Sequence, residues 1–257
     1  MNNEHKSNQP LTPSTQLETD LQLLGLTFMA EHHEEFGRRA ARDSFTHADF
    51  LAKLVEGELH RKHDRATLRR VRNARFPVLK SLDDFSWSWP HKINRMAIQN
   101  LFRLKFLDDH ANVIFLGGVG LGKTHLATAL GHAACLAGKS VLFSTAVDAI
   151  NTLAAAAKAN RLKAELKKYL SPELLILDEL GYLPIDKHGA DLLFQIISQR
   201  YERGSIIITS NRAFKHWPQI FNNDSTLTSA ILDRLLHHAD HQLIEGKSYR
   251  MKDQIVV

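Results

Sequence analysis

Cysteine is almost absent from this chain. Among 257 residues only Cys135 carries a thiol, which excludes an intrachain disulfide and any zinc or iron–sulfur centre built on several cysteines. A reducing compartment fits that usage. Long apolar runs are missing as well. The first twenty residues are polar and hold no stretch of signal-peptide length. Nothing approaches the roughly 20 apolar residues that span a bilayer. The best candidate, Val113–Gly122, is interrupted by glycines and ends at Lys123. The expectation is a soluble, unexported, cytoplasmic protein without a membrane partner. Charge of one sign is scarce too: 33 Lys+Arg against 28 Asp+Glu leaves +5, a basic balance that hints at an anionic partner without naming one. Apolar residues at 44% and charged residues at 24% supply a real core and exclude global disorder.

What is present falls into regions of different composition. Residues 1–15, polar and with two prolines, read as a disordered tail. Residues 16–76 contain no proline and are rich in leucine, alanine, glutamate and arginine, so they read as a small all-helical N-terminal domain. Thr46 is placed to cap a long helix from about His47 to Arg75, with Phe50, Leu51, Leu54, Val55 and Leu59 as its apolar stripe. Residues 53–80 hold nine basic and three acidic residues, a local surplus larger than that of the whole chain. Residues 77–95 read as a linker between Pro77 and Pro90. Its aromatic Phe85, Trp87 and Trp89 pack on a core in the plain reading and stack on bases in the sharper one.

From about residue 91 the pattern alternates. Val113–Leu116, Val141–Ser144, Leu174–Leu177 and Ile206–Thr209 read as buried strands, with Gln242–Glu245 as a fifth. Helical segments near 92–107, 123–137, 147–168, 188–203 and 225–238 lie around them. This order predicts an α/β domain over 96–257 with a five-stranded parallel sheet flanked by helices.

The strongest local signal is Gly117-Gly118-Val119-Gly120-Leu121-Gly122-Lys123-Thr124, which satisfies G-x-x-x-x-G-K-[ST] with a strand before it and a helix after it. Its glycines allow turns that point backbone N–H groups at an anion. Lys123 would reach the β- and γ-phosphates, Thr124 would ligate Mg²⁺, and the helix start would aim its dipole at the phosphates. A second strand, Leu174–Leu177, runs into Asp178-Glu179. Asp178 would hold the metal at the carboxyl edge of the sheet, and Glu179 would serve as general base for an attacking water. A third strand ends at Ser210-Asn211, where the Asn211 amide would orient that water or, in the plainer reading, cap a turn. ATP and Mg²⁺ are the cofactors these residues call for.

GGVGLGKT, LLILDELGYLP and IIITSN, in that order, resemble the AAA+ ATPases. The run Asp178–Pro184, with Ala74-Arg75-Phe76-Pro77 and Leu82-Asp83-Asp84-Phe85 upstream, is similar to the IstB-type transposition helper ATPases and the related DnaC-type helicase loaders. That resemblance implies a P-loop AAA+ core and a homo-oligomer assembled with ATP on DNA. It gives Asn211 the sensor-1 position. It makes Arg234, within Leu232-Asp233-Arg234-Leu235, an arginine finger acting on a neighbour's γ-phosphate, with Arg200 and Arg203 as competitors for that role. Arg250, in Ser248-Tyr249-Arg250, matches the sensor-2 region. Twelve residues follow the fifth strand, too few for the helical lid of larger AAA+ proteins, and the small group resembled lacks that lid too.

The resemblance also places a helical insertion after the second strand on the DNA-facing side. Here Ser144–Ser171 carries Lys158, Arg161, Lys163, Lys167 and Lys168 against Asp148 and Glu165. Such residues neutralise phosphates without reading bases, or simply form a solvated helix face. The basic stretch Arg61–Arg75 is the second candidate for DNA, or else for subunit or transposase contact. The function expected is ATP-dependent regulation of transposition on duplex DNA bound without sequence preference, with a transposase as partner. A helicase loader is the alternative. A small-molecule kinase fits the Asp178-Glu179 pair poorly.

Overall fold

The computed structural model describes residues 13–254. Its chain divides after Leu68 into two compact units, and the division falls inside a helix, ahead of the boundary that composition suggests at residue 76.

The first unit holds α1 (Pro13–Leu23), α2 (Thr27–Arg42) and the first part of α3 (His47–Ala74). Residues 13–15, expected in the tail, belong to α1, and the rest of that expected tail lies outside the described residues. Thr46 caps α3 as expected: its hydroxyl accepts from the Asp49 N–H at 3.1 Å, and the Asp49 carboxylate accepts from the Thr46 N–H at 3.2 Å, a reciprocal cap. The start of α2 is satisfied from a distance. Leu26 offers no side-chain cap. Instead the buried Glu58 of α3 accepts from the N–H groups of Phe28 and Met29 at 2.7 and 3.1 Å, a carboxylate at the positive end of the helix dipole. Gly57 permits the approach, since a Cβ there would collide with the Phe28 ring.

The second unit is a three-layer α/β/α domain. Its parallel sheet has the order β2-β3-β4-β1-β5, from β1 (Asn112–Gly117), β2 (Val141–Thr145), β3 (Leu174–Leu180), β4 (Ser205–Ser210) and β5 (Ala239–Ile244). Side chains alternate between two buried layers, as strand geometry requires. Val113, Phe115, Leu174, Ile176 and Ile207 join one core; Ile114, Leu116, Leu175, Leu177, Ile206 and Ile208 join the other. Both faces are covered, which is why these strands read as continuous apolar runs. The fifth strand starts three residues ahead of its expected position, and Glu245 instead forms a bridge with Lys92.

The helices depart from expectation in two places, each at a left-handed residue. The expected helix 92–107 is α4 (Arg95–Leu101) and α5 (Lys105–Asp108), separated at Leu104 with φ +59°. After α6 (Lys123–Leu136), the expected helix 147–168 is α7 (Ala146–Lys158) and α8 (Leu162–Leu170). Asn160, at φ +54°, ends α7, and the Arg161 N–H closes back onto the Ala156 carbonyl at 2.8 Å. Then follow α9 (Lys187–Arg200), the short α10 (Trp217–Ile220) and α11 (Ser225–Leu236). Asp186 and Asp224 cap α9 and α11 through the Gly189 and Leu227 N–H groups, each at 2.8 Å.

The segment 77–95, expected as a linker, is part of this unit. Phe85 is buried in the same core as Val113 and Leu126, with Trp87 packed at its edge 5.0 Å away. The plain reading of those two aromatics is the right one.

Candidate functional site

The carboxyl ends of β1, β3 and β4 converge, and the loop after β1 rises over them. There a cleft of about 690 Å³ opens, lined by Val119–Thr124, Phe85, Trp89, Tyr249 and Arg250. The geometry of the 117–124 loop depends on its glycines. Gly120 sits at φ +75°, where its carbonyl accepts from the Tyr249 N–H at 2.9 Å and a Cβ would collide with the Ser248 hydroxyl. Gly122, at φ +86°, stands where an added Cβ would lie 2.6 Å from the Phe85 ring. A side chain at either position would push the loop off its supports.

Lys123 opens α6 and folds back, its ammonium donating to the Gly118 carbonyl at 2.6 Å. Burial pushes its pKa below the usual lysine value; Asp178 opposes that shift and Arg250 adds to it. Arg250 lines the same cleft as Lys123. A polyphosphate at this point would answer both cations.

Asp178 and Glu179 part company at the end of β3. Residues Leu177 and Leu180 pair with Ile208 and Ser210, so β3 takes three steps where β4 takes two. The bulge leaves Glu179 at φ +60°, exposed and lining the cleft, while Asp178 stays buried. The Thr124 hydroxyl donates toward both Asp178 oxygens at 3.0 Å. Thr209 donates to Asp178 Oδ1 at 2.5 Å and accepts from the Glu179 N–H at 2.9 Å. A buried carboxylate held by hydroxyls, with hard oxygen donors gathered around it, suits a small divalent cation. Asn211 also lines the cleft, and its Oδ1 is a buried acceptor without a protein partner, as a group awaiting water or ligand would be.

The other expected site residues lie elsewhere. Arg234 on α11 bonds to the Ala230 carbonyl at 2.9 Å and stacks 5.1 Å from the Phe194 ring centre; it does not line the cleft of its own chain. Arg203 is exposed. Arg200 is 2% exposed, and its guanidinium donates to the carbonyls of Tyr169, Leu170, Pro172, Glu173 and Ser205 at 2.8–3.3 Å. Burial lowers its pKa to about 10. An arginine so enclosed is unavailable to a neighbouring subunit, so it drops out as a competitor for the finger. Lys158, Arg161, Lys163, Lys167 and Lys168 are all exposed at the end of α7 and along α8, with Lys168 paired to Glu165 at 2.7 Å. The opposite face of α8, through Leu166 and Tyr169, is buried.

Sequence reading gave Thr209 no role, and it did not bring Trp89 and Tyr249 together. The rings of that pair meet edge to face at 5.5 Å, and the Trp89 indole donates to the Lys247 carbonyl at 2.9 Å. Nothing in the run Ile206-Ile207-Ile208-Thr209 marks the threonine, because its partners lie on the neighbouring strand.

The sequence pattern of the IstB-like ATP binding protein family matches residues 19–256. The chain belongs to that family. A Pseudomonas aeruginosa relative named as an ATP-binding protein of insertion sequence IS21 is 40% identical over 239 residues, spanning 93% of this chain and 90% of the relative. A Bacillus thuringiensis subsp. berliner relative named likewise for IS232 is 40% identical over 238 residues, spanning 93% and 95%. Among solved structures, AMPPCP-bound DnaA from Aquifex aeolicus superimposes with a TM-score of 0.56 at 22% identity, over 70% of this chain and 54% of that one. The DnaC helicase loader gives 0.53 at 23% identity, over 68% and 99%. The IstB-like core thus has the AAA+ fold. Among the described residues no helix is long and apolar enough to cross a membrane.

Proposed function

We propose that this IstB-like protein is an Mg²⁺-dependent ATPase that regulates DNA transposition. It assembles with ATP as a homo-oligomer on duplex DNA without sequence preference, recruits and stimulates a partner transposase, and disassembles on hydrolysis. The observation that carries this reading is the meeting of the phosphate loop with the divided acid pair. Buried Asp178 faces Thr124, exposed Glu179 faces the cleft, and the family relatives are named for insertion sequences.

In this reading the backbone N–H groups of 118–124 and the Lys123 ammonium bind the β- and γ-phosphates. Thr124 and Asp178 hold Mg²⁺, which neutralises charge on the phosphate oxygens when bound. Glu179 takes the proton of the attacking water, and the Asn211 amide orients that water. Arg250 supports the phosphates within the chain. Arg234, turned away from its own cleft, completes a neighbour's site, which makes nucleotide binding and assembly two sides of one linkage. The exposed lysines and Arg161 of the insertion meet DNA phosphates.

Sedimentation with random-sequence duplex DNA tests the reading. Large complexes are expected with ATP, few with ADP, and none for Lys123→Ala. Nucleotide-independent assembly by Lys123→Ala would overturn it.

A further inference from the structure

Thr209 is buried to 1% exposure on β4, directly under the bulge that separates Asp178 from Glu179. In a regular ladder the Glu179 N–H would donate to a carbonyl of the adjacent strand. The bulge shifts that register, and the Glu179 N–H donates to the Thr209 hydroxyl at 2.9 Å. The same oxygen passes its own proton to Asp178 Oδ1 at 2.5 Å. One atom therefore touches both members of the acid pair, as acceptor for one and donor to the other, which uses its single O–H.

The conformation being held is an uncommon one. Glu179 has φ +60° without being glycine, and such a backbone persists only where its surroundings over-determine it. Asp178 is constrained from two sides, by Thr124 on the phosphate-loop helix and by Thr209 on β4. Without Thr209 the carboxylate would keep one anchor and be free to turn about it, and the Glu179 N–H would lose its bond to the hydroxyl.

We propose that Thr209 is a positioning residue for the acid pair: its hydroxyl orients the Asp178 carboxylate toward the metal position and fixes the bulge that presents Glu179 to the cleft. The proposal rests on the ATP-hydrolysis reading and adds a residue that reading does not use. Thr209 lies at the cleft wall with its hydroxyl engaged by Asp178 and the Glu179 N–H, so its effect passes through that pair.

The test compares the full-length wild type, Thr209→Val and Thr209→Ser for kcat, KM and affinity for a fluorescent ATP analogue with magnesium or with EDTA. Valine keeps the shape and loses the hydroxyl; serine keeps the hydroxyl. Valine is expected to lower kcat about 10–100-fold and to weaken the magnesium-dependent gain in affinity, as loss of a partner to a metal-binding carboxylate does. Affinity in EDTA should stay within about threefold, and serine should restore kcat to within about threefold. Valine matching the wild type, or serine performing no better than valine, overturns the proposal. If Thr209→Val fails to fold, Thr209→Ala against Thr209→Ser supplies the same contrast. If the wild type binds ATP with magnesium but does not turn it over, the hydrolysis reading fails by itself. The magnesium-dependent affinity then decides: a loss in valine restored by serine supports the proposal, and no difference overturns it.

Discussion

The Thr124 hydroxyl lies 3.0 Å from each carboxylate oxygen of Asp178, 54 residues away in the chain. The contact joins the first turn of α6 to the end of β3. The phosphate loop and the acid pair are thereby one assembly, and magnesium is expected to act through both residues. Asp178→Asn, with Thr124 intact, should abolish most of the magnesium-dependent gain in ATP affinity, about 10–100-fold, while leaving affinity in EDTA little changed. Titration of a fluorescent nucleotide in both conditions checks this.

Arg234 and Arg200 should separate cleanly. Arg234→Ala removes a guanidinium that does not line the phosphate-loop cleft of its own chain, so nucleotide binding should persist while turnover by the assembled protein falls roughly 1,000-fold, the low end for a lost arginine finger. Arg200→Ala instead removes a buried donor shared by five backbone carbonyls, and should cost more than about 3 kcal/mol of stability. Urea unfolding and steady-state ATPase assays distinguish the two. Unchanged turnover in Arg234→Ala would shift the finger to the exposed Arg203.

Neutralising Lys163, Lys167 and Lys168 together should weaken duplex binding and lower the slope of log affinity against log salt by up to about 3, one counterion per lost phosphate contact. Binding isotherms at several salt concentrations measure this. An unchanged slope would remove α8 from the DNA surface.

The helical unit offers a test independent of nucleotide. Glu58→Ala strips the acceptor from the Phe28 and Met29 N–H groups and should destabilise that unit by about 1–3 kcal/mol. Glu58→Gln, which keeps an acceptor oxygen, should lose less. Limited proteolysis of α2 as a function of urea reads the difference, and ATP affinity should be unaffected by either change.

Much of the fold was legible because its signals are local. Strand cores such as Leu174–Leu177 are apolar on both faces, and the cap at Thr46 and the loop 117–124 each declare themselves within a few residues. The breaks at Leu104 and Asn160 were not legible, because a left-handed residue can end a helix without proline or glycine to mark it. The fate of 77–95 was hidden for another reason: Phe85 meets partners such as His125 only after the chain has folded. At the site, Lys123, Thr124, Asp178 and Glu179 come together as their motifs imply. The burial of Arg200 was invisible, since its five partners are backbone carbonyls and carry no side-chain signature. Thr209 escaped for a similar reason: its importance comes from a one-residue bulge in the neighbouring strand, which no pattern in β4 records.

The most direct test of the account is ATP turnover and complex lifetime on duplex DNA for Glu179→Gln. Removing the general base should lower turnover by about 100-fold or more, keep ATP affinity, and trap long-lived DNA-bound assemblies because hydrolysis is what releases them. Turnover equal to the wild type, with complexes that dissociate at the wild-type rate, would contradict it.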